Sequence, residues 1–215
     1  MPISREEILK TVSEVRKKAT DRNFVQSFDL AVGLKDINLN NPENRINTKV
    51  ELPHGIGRSQ KVAVLADGEL AERARAAEAD RVVGRDEIKK LGDNKPEAKK
   101  FAEEFDSFIA KADMMPFIGK QLGPVLGPRG KMPQPIPPNA NPSDLIKRSR
   151  SMVRVRVRTE PAVHLIVGKE EMSDEQIADN VKAVLDTIES NLPKGNKQIN
   201  SVYLKTTMGK PVRLM

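Results

Sequence analysis

The clearest signal of the fold is a short apolar run, Val62-Ala63-Val64-Leu65-Ala66. A continuous apolar run of this length is typical of a strand that is covered on both faces. An Ala-rich helical segment follows at residues 69–79, and further short strands are predicted at residues 81–84 and 107–110. This strand–helix–strand alternation predicts a small α/β domain with parallel strands and right-handed crossovers.

The remainder of this central region is a mixture of helical signals and helix breakers. Helices are predicted at residues 96–106, from a cap at Asp113 to residue 118, and at residues 144–150. Residues 119–138 between them are rich in Gly and Pro, which excludes a regular helix or a central strand there.

The N-terminal segment has a different pattern. Ser4 and Glu7 form a capping box, which predicts that a helix begins there. Alternating large and small or polar residues over 24–34 predict a strand. The Asn- and Pro-containing residues 40–44 predict a loop, and residues 45–52 predict a partner strand.

The C-terminal segment, like the N-terminal one, combines alternating strand patterns with a helix that begins at a capping box. From Val153 to Arg158, Val and Arg alternate strictly. Residues 162–167 are apolar around His164, so we expect residues 152–158 and 162–167 to form a hairpin. Ser173 and Gln176 form a second capping box before an amphipathic helix. Residues 201–207 predict a final strand.

Each end supplies one helix and two or three strands, too little to close a good core alone. We therefore predict one α+β domain built from residues 1–62 and 150–215, with residues 63–149 inserted as an α/β domain. The distribution of the net charge of +7 distinguishes the two domains, because the two ends carry +3 each and the insertion carries +1. A site for a polyanion is therefore expected on the domain made from both ends.

Composition excludes several classes of protein. The 215 residues contain no cysteine and two histidines, which excludes disulfide scaffolds, thiolate metal sites and thiol catalysis. No run approaches the ~20 apolar residues of a membrane span, and the N-terminus lacks the pattern of a signal peptide. We expect a cytoplasmic protein with no membrane partner, no metal and no cofactor. The basic balance favours nucleic acid, although a surface charge that only confers solubility explains it equally well.

A nucleotide-binding interpretation of the glycine-rich loop fails on its residues. Gly130-Lys131 is followed by Met132, where a phosphate-binding loop needs Ser or Thr. The turn at residues 67–69 has one glycine and two carboxylates where a pyrophosphate would lie. Arg129 and Lys131 can still hold RNA phosphates, but a rigid structural loop is at least as good an interpretation. No base–nucleophile pair is present, so we predict that the protein is not an enzyme.

The most specific basic signal is the strand that carries Arg154, Arg156 and Arg158. Period-two alternation places the three guanidinium groups on one face, where they can bind phosphates. The alternative is an edge strand that charge protects from aggregation. Six Phe and one Tyr are too few for base stacking, so recognition of structured RNA through backbone and 2′-hydroxyl groups is expected. The segment Thr206-Thr207-Met208-Gly209 fits that mode, but it is also an ordinary strand end.

Two runs, Leu126-Gly127-Pro128-Arg129-Gly130-Lys131-Met132-Pro133 and Ser201-Val202-Tyr203-Leu204-Lys205-Thr206-Thr207-Met208-Gly209, resemble the large-subunit ribosomal protein L-one family. Lys131 and the Pro-rich extension after this first run resemble its archaeal branch. The resemblance covers the whole chain. It implies a first domain with both termini, an inserted Rossmann-like domain, and binding to the ribosomal RNA helix of the mobile stalk in the large (50S) subunit.

The resemblance also implies partners and site residues. The implied partners are the ribosomal RNA of the stalk, the tRNA in the exit site and the protein's own mRNA. The protein is expected to assist release of deacylated tRNA and to repress translation of its mRNA. When free, it is expected to be a monomer. The main ribosomal RNA contacts fall on Ser27, Phe28, Ser201, Thr207, Met208 and Gly209. Candidate further contacts to phosphates are Arg154, Arg156, Arg158, Lys169, Arg129 and Lys131. Ala31 and Gly33 depart from the bacterial pattern, where Thr and an acidic residue are expected.

Two other functions remain open from the sequence. One is a nucleotide-dependent enzyme that uses the inserted domain, which binding of ATP, GTP or NAD would reveal. The other is a purely structural assembly protein, which would have no affinity for isolated RNA.

Overall fold

The computed structural model describes residues 3–37, 39, 46–157 and 160–215 of the chain. It divides the chain into two compact units, and each is described by itself. One unit combines Met1–Arg58 with Ser151–Met215, and the other is Ser59–Arg150. We refer to them as the split unit and the inserted unit.

The helices are α1 Arg5–Lys18, α2 Glu69–Ala76, α3 Arg85–Asp93, α4 Lys95–Glu104, α5 Met115–Gln121, α6 Gly123–Arg129, α7 Pro142–Ser151 and α8 Asp174–Asn191. The strands are β1 Ser27–Leu34, β2 Asn47–Glu51, β3 Val62–Leu65, β4 Arg81–Val83, β5 Ser107–Lys111, β6 Gln134–Ile136, β7 Met152–Arg156, β8 Ala162–Lys169, β9 Ile199–Thr206 and β10 Val212–Arg213. Within the described residues, no helix is both long and apolar enough to cross a bilayer.

Both long helices of the split unit begin at the predicted capping boxes, which the structure confirms. The Ser4 hydroxyl accepts a hydrogen bond from the Glu7 backbone N–H, and the Glu7 carboxylate accepts one from the Ser4 N–H. Ser173 and Gln176 repeat the same arrangement at α8. The reciprocal bonds satisfy backbone donors that a helix start otherwise leaves unpaired. The apolar faces of α1 and α8 belong to the same core cluster.

A four-stranded antiparallel sheet forms the other layer of this core, in the order β10-β9-β1-β8. Side chains of β1 alternate, so that Phe28, Leu30, Val32 and Leu34 are buried beneath the helices. The alternate positions form an outer face that the helices do not cover. The period of two in the sequence therefore produces one buried face and one partly exposed face.

The predicted strand pairing is wrong in two places. Residues 152–158 and 162–167 were expected to form a hairpin, but β7 pairs with β2, while β8 pairs with β1. The predicted strand at residues 45–52 contains β2, which joins β7 in a separate two-stranded ribbon rather than β1. The predicted loop at residues 40–44 lies outside the described residues. Pairing depends on contacts distant in sequence, which alternation alone does not reveal.

The inserted unit is a parallel sheet in the order β4-β3-β5-β6 with helices on both faces. The predicted two-sided burial of β3 is confirmed: Ala63 and Leu65 belong to one apolar cluster, and Val62 and Val64 to another. Together with the antiparallel sheet of the split unit, this confirms the predicted fold class, α+β combined with α/β.

The Gly- and Pro-rich region contains more regular structure than predicted. Residues 123–129 form α6, with Pro124 in its first turn, where a backbone N–H is not needed, and Pro128 inside. Gly130, at a φ of 69°, ends this helix in the left-handed conformation. Asp113 lies in a short 3-10 turn and does not cap α5. Helix α3 was not predicted at all.

Candidate nucleic-acid interface

The segment that follows β9 is joined to the start of β1 by a set of hydrogen bonds. The Thr207 backbone N–H donates to the Ser27 carbonyl at 3.0 Å. In return, the Ser27 N–H donates to the Thr207 hydroxyl oxygen at 3.0 Å. The Met208 N–H donates to the Gln26 side-chain carbonyl at 3.0 Å. Lys169, at the end of β8, lies opposite Ser27 on the other side of β1. We call the surface formed by Ser27, Lys169 and residues 207–209 the strand-end surface.

Sequence reasoning missed Gln26 as part of this site. Its side chain is 1% exposed, and its amide group donates to the Thr20 carbonyl and to the Glu170 carboxylate, both at 2.9 Å. The Glu170 carboxylate also accepts the Gln26 backbone N–H at 2.9 Å. A polar residue at an inward position of the alternating segment was the signal that could have revealed it. Because its polar groups are satisfied, Gln26 holds the backbone of Met208 rigidly.

Gly209 is required by a close approach. A Cβ at this position would collide with the Thr206 hydroxyl, and the Gly209 N–H donates to the Thr206 carbonyl at 3.1 Å. Thr206 is fully buried, and its hydroxyl has no hydrogen-bond partner among the described residues. The turn therefore folds back over Thr206 with no room for a side chain.

Phe28 differs from the expectation that it contacts RNA directly. Its side chain is 0% exposed, and the Arg16 guanidinium lies 5.5 Å from the ring centroid. In this structure the ring is not accessible to a ligand and supports the strand-end surface from below. The exposed aromatic ring at this end belongs to Phe24, which is 51% exposed and lies outside β1. Met208 is likewise 56% exposed.

Ser201 is not close to the strand-end surface. It lies opposite Gly33, at the other end of β9 from Thr207. Thr207 comes six residue steps after Ser201 along an extended chain, which corresponds to roughly 20 Å. Ser201 shares the outer face of the sheet with Tyr203 and Lys205, so a ligand that contacts both ends has to extend across this face.

The outer face carries both signs of charge. Asp29 lies opposite Lys205 on β9, and the Lys205 ammonium donates to the Thr207 carbonyl at 3.2 Å. Burial raises the pKa of the Asp29 carboxyl above its ordinary value, against the opposing effects of the charges of Lys205 and His164. His164 lies opposite Ala31, and Gly33 lies opposite Ser201 and Ala162, so the two positions that depart from the bacterial pattern are on this face.

The arginine strand lies on the β2–β7 ribbon and not on the four-stranded sheet. Arg154 and Arg156 share its outer face as predicted, whereas Val155 is buried and Val153 only partly so. Arg158 lies outside the described residues.

Arg129 and Lys131 lie in the inserted unit, where they already have protein partners. The Arg129 guanidinium contacts the Glu103 carboxylate at 2.7 Å. The Lys131 ammonium donates to the carbonyls of Ala102 and Phe105 at 2.9 and 2.7 Å. The lysine thereby satisfies carbonyls at the end of α4, which supports the structural interpretation of this loop.

No group of three or more His, Asp or Glu side chains that could hold a metal ion occurs among the described residues. His54 contacts the Asp179 carboxylate at 3.4 Å and has its backbone N–H bonded to Asn180. The fold and the site together define a two-unit protein, α+β combined with α/β, whose split unit carries a partly exposed sheet face of mixed charge.

Comparison with known proteins assigns the family. The profile of the ribosomal protein L1p/L10e family matches residues 15–210. A Methanothermobacter thermautotrophicus protein named large ribosomal subunit protein uL1 is 47% identical over 98% of this chain and 100% of its own length. Proteins of the same name are 49% identical in Methanothermococcus thermolithotrophicus, over 99% of both chains, and 45% identical in Pyrococcus abyssi, over 100% of this chain and 98% of the relative.

The chain therefore belongs to the ribosomal protein L1p/L10e family. It is a ribosomal protein of the large-subunit type and not an enzyme, which confirms both predictions. As a ribosome component it works in the cytoplasm, also as predicted.

Proposed function

We propose that the protein binds large-subunit ribosomal RNA, at the helix that forms the mobile stalk, through the strand-end surface. The observation that carries the proposal is the rigid turn after β9. Its backbone is bonded to Ser27 and Gln26 at 3.0 Å, while the Met208 side chain stays exposed. A preorganised backbone loses little conformational freedom on binding, so its contacts contribute fully to affinity. Hydroxyl and backbone groups of this kind suit the 2′-hydroxyls and base edges of folded RNA.

The extent of the site favours a long, structured ligand. Ser201 and Thr207 lie on one face roughly 20 Å apart, with Tyr203 exposed between them. A small metabolite cannot reach both residues, whereas an RNA helix with an adjoining loop can. We place the RNA across the outer face of β9 and β1, from the strand-end surface toward Ser201.

Phe24 is the aromatic residue that we assign to RNA contact at this end. Its ring is exposed, in contrast to that of Phe28, and it stands two residues before Gln26, whose side chain holds the Met208 backbone. One exposed ring at the edge can stack on a single unpaired base. Lys169 and Lys205 supply positive charge for the phosphates beside it.

Two regulatory and ribosomal roles follow from this RNA-binding surface: repression of the protein's own mRNA and assistance in tRNA release. Binding of a similar structure in the protein's own mRNA would repress translation when ribosomal RNA is saturated. At the stalk, the protein assists release of deacylated tRNA, with the inserted unit facing the tRNA. The free protein acts as a monomer. Competition between stalk RNA and a fragment of this mRNA for a single site tests the regulatory role, and simultaneous binding of both would contradict it.

The central experiment replaces Thr207 and Met208 together by Ala and measures affinity for a stalk-helix RNA fragment. We expect affinity to fall by well over tenfold, with an unchanged circular dichroism spectrum. Met132→Ala is the matched control, because Met132 is an exposed methionine of the inserted unit. Unchanged affinity of the double variant would overturn the site. Failure of the wild-type protein to bind the isolated RNA would overturn the function in favour of a purely structural assembly role.

A further inference from the structure

The two most exposed methionine side chains among the described residues lie in different units. Met208, in the turn after β9, is 56% exposed, and Met132, in the inserted unit, is 40% exposed. Peroxides oxidise the thioether of methionine to a sulfoxide, and the chain has no cysteine to compete for the oxidant. An exposed sulfur reacts before a buried one, because packing keeps the oxidant away from the buried sulfur.

The other methionines that the structure describes are less accessible. Met114 is 2% exposed. The partly buried ones are Met115, Met152, Met172 and Met215. The Met172 sulfur packs against the backbone of Gly57 and Gly168, since a Cβ on either glycine would lie 3.1 Å from it. Oxidation of the folded protein is therefore expected first at Met208 and Met132.

The turn holds the Met208 side chain outside the core of the split unit. The Met208 N–H donates to the Gln26 side-chain carbonyl at 3.0 Å, and the Thr207 N–H donates to the Ser27 carbonyl at 3.0 Å. Met208 does not belong to the apolar cluster formed by the described residues of this unit. Because only backbone groups of Met208 and Thr207 make these bonds, an oxygen added to the Met208 sulfur leaves the bonds and the core packing in place.

The same oxygen changes what the strand-end surface offers to a ligand. The thioether is a soft, apolar and flexible group, whereas the sulfoxide is polar and its oxygen accepts hydrogen bonds. A ligand that covers Met208 would have to remove water from this oxygen, which costs free energy unless a donor replaces the water. Phosphate oxygens of RNA are acceptors and cannot supply that donor. Oxidation is therefore expected to weaken RNA binding while the fold stays intact.

We propose that Met208 is a reversible oxidation site, through which a peroxide lowers the affinity of the protein for RNA. The inference rests on the proposed RNA-binding function. A lone pair of the Met208 sulfur attacks one oxygen of hydrogen peroxide, and the O–O bond breaks. The proton of the transferred hydroxyl passes to the other oxygen, which leaves as water, so the sulfur is oxidised to the sulfoxide and the peroxide is reduced. Methionine sulfoxide reductases return the sulfoxide to the thioether.

The first experiment treats the full chain with hydrogen peroxide and follows each methionine by peptide mass spectrometry. We expect Met208 and Met132 to gain an oxygen before Met114 and Met172. Affinity for the stalk-helix fragment should fall at least about fivefold, with an unchanged circular dichroism spectrum. Treatment with both stereospecific methionine sulfoxide reductases should restore it. Complete oxidation of Met208 with unchanged affinity would overturn the proposal.

Variants assign the effect to one sulfur. Met208→Leu has no sulfur at this position, so its affinity should be the same before and after peroxide. Met132→Leu keeps Met208 and should lose affinity on treatment as the wild type does. Met208→Gln provides a polar side chain of similar length without any oxidant and should weaken binding by a factor comparable to that of the sulfoxide. A fall of affinity in peroxide-treated Met208→Leu equal to that of the wild type would place the sensitive group elsewhere and overturn the assignment.

Bound RNA provides a readout that separates the two proposals. A saturating stalk-helix fragment should slow the oxidation of Met208, while Met132 in the inserted unit reacts at its former rate. If the untreated wild-type protein bound the RNA but Met208 were oxidised as fast as in the free protein, the oxidation site would fail and the proposed function would stand. If the untreated protein did not bind the RNA at all, the proposed function would fail first.

Discussion

Thr207 and Ser27 are 180 residues apart in sequence, yet each donates a backbone N–H to an oxygen of the other at 3.0 Å. The Thr207 hydroxyl contributes one of these acceptors and also lies 3.3 Å from the Ser27 carbonyl. This pair joins the two ends of the split unit at the surface proposed to bind RNA. The chemistry of the site and the closure of the fold therefore depend on the same atoms.

Thr207→Val should test this dual role. Valine keeps the shape but leaves the Ser27 N–H without its acceptor, so we expect the free energy of unfolding to fall by about 1 kcal/mol. Stalk-RNA affinity should fall at least severalfold. Urea denaturation and RNA titration measure the two effects. Thr207→Ser is the control, since it retains the hydroxyl; if it behaved like the valine variant, the hydroxyl would not be the important group.

Gly209→Ala should strain the turn, because the new Cβ would collide with the Thr206 hydroxyl. We expect a loss of about 1–3 kcal/mol of stability and a weaker affinity for RNA. Thr206→Ala in the same chain removes the colliding oxygen and should restore most of the stability. Additive losses in the double variant would show that the collision is not the cause.

Gln26→Leu should destabilise the protein even though the two side chains have similar volumes. The substitution leaves the Met208 N–H and the Glu170 carboxylate without a buried partner. We expect a loss of about 2–3 kcal/mol in chemical denaturation and a weaker RNA affinity, since Met208 is no longer held. Asn139→Ala, at an exposed amide of the inserted unit, should change neither quantity. An RNA affinity that stays at the wild-type value would separate Gln26 from the site.

Asp29→Asn should change the pH dependence of stability. Burial raises the pKa of Asp29 in the folded protein, so its protonated form favours folding. That contribution is fully present below the unfolded pKa and is lost as pH rises through the folded pKa. The asparagine variant should therefore have a higher Tm at neutral pH, by no more than about 2 °C because the group is partly exposed. Near pH 3 the difference should vanish.

Lys131→Met should affect stability and leave RNA binding unchanged. The Lys131 ammonium bonds to the carbonyls of Ala102 and Phe105, and its loss should cost about 1 kcal/mol. Lys169→Met, at the strand-end surface, should show the opposite pattern, with RNA affinity reduced several times and stability nearly unchanged. Thermal denaturation and RNA titration of both variants distinguish the two lysines. A marked fall of RNA affinity in Lys131→Met would return this loop to the list of RNA contacts.

The features predicted correctly from sequence are local ones. The capping boxes at Ser4 and Ser173 operate within three residues, so the sequence contains all the information they need. The continuous apolar run Val62–Leu65 predicts a strand buried on both faces, because such a run has no polar side for solvent. Pairing partners were less predictable, because β7 has the same alternation whether it faces β2 or β8.

In the candidate site, too, local patterns were predictable from sequence, whereas exposure and long-range contacts were not. The segment from Phe24 to Leu34 alternates throughout, so Phe24 and Phe28 seemed equivalent in sequence. In the structure, β1 begins only at Ser27, which leaves the Phe24 ring exposed and places Phe28 beneath the sheet. Lys131 likewise lies in a conspicuous basic motif, but its role depends on carbonyls of α4 that are 26 and 29 residues away.

Residue types and their order were sufficient to predict the α+β and α/β character, the starts of two helices, the uneven distribution of charge and the resemblance to a ribosomal protein family. All of these follow from residue type and short-range periodicity. The folded arrangement was needed to learn which strands pair, which aromatic ring is exposed, and that Lys49 lies opposite Arg154. Exposure and strand pairing depend on segments that are distant in sequence, because their free energies are set by the neighbours that folding brings into contact.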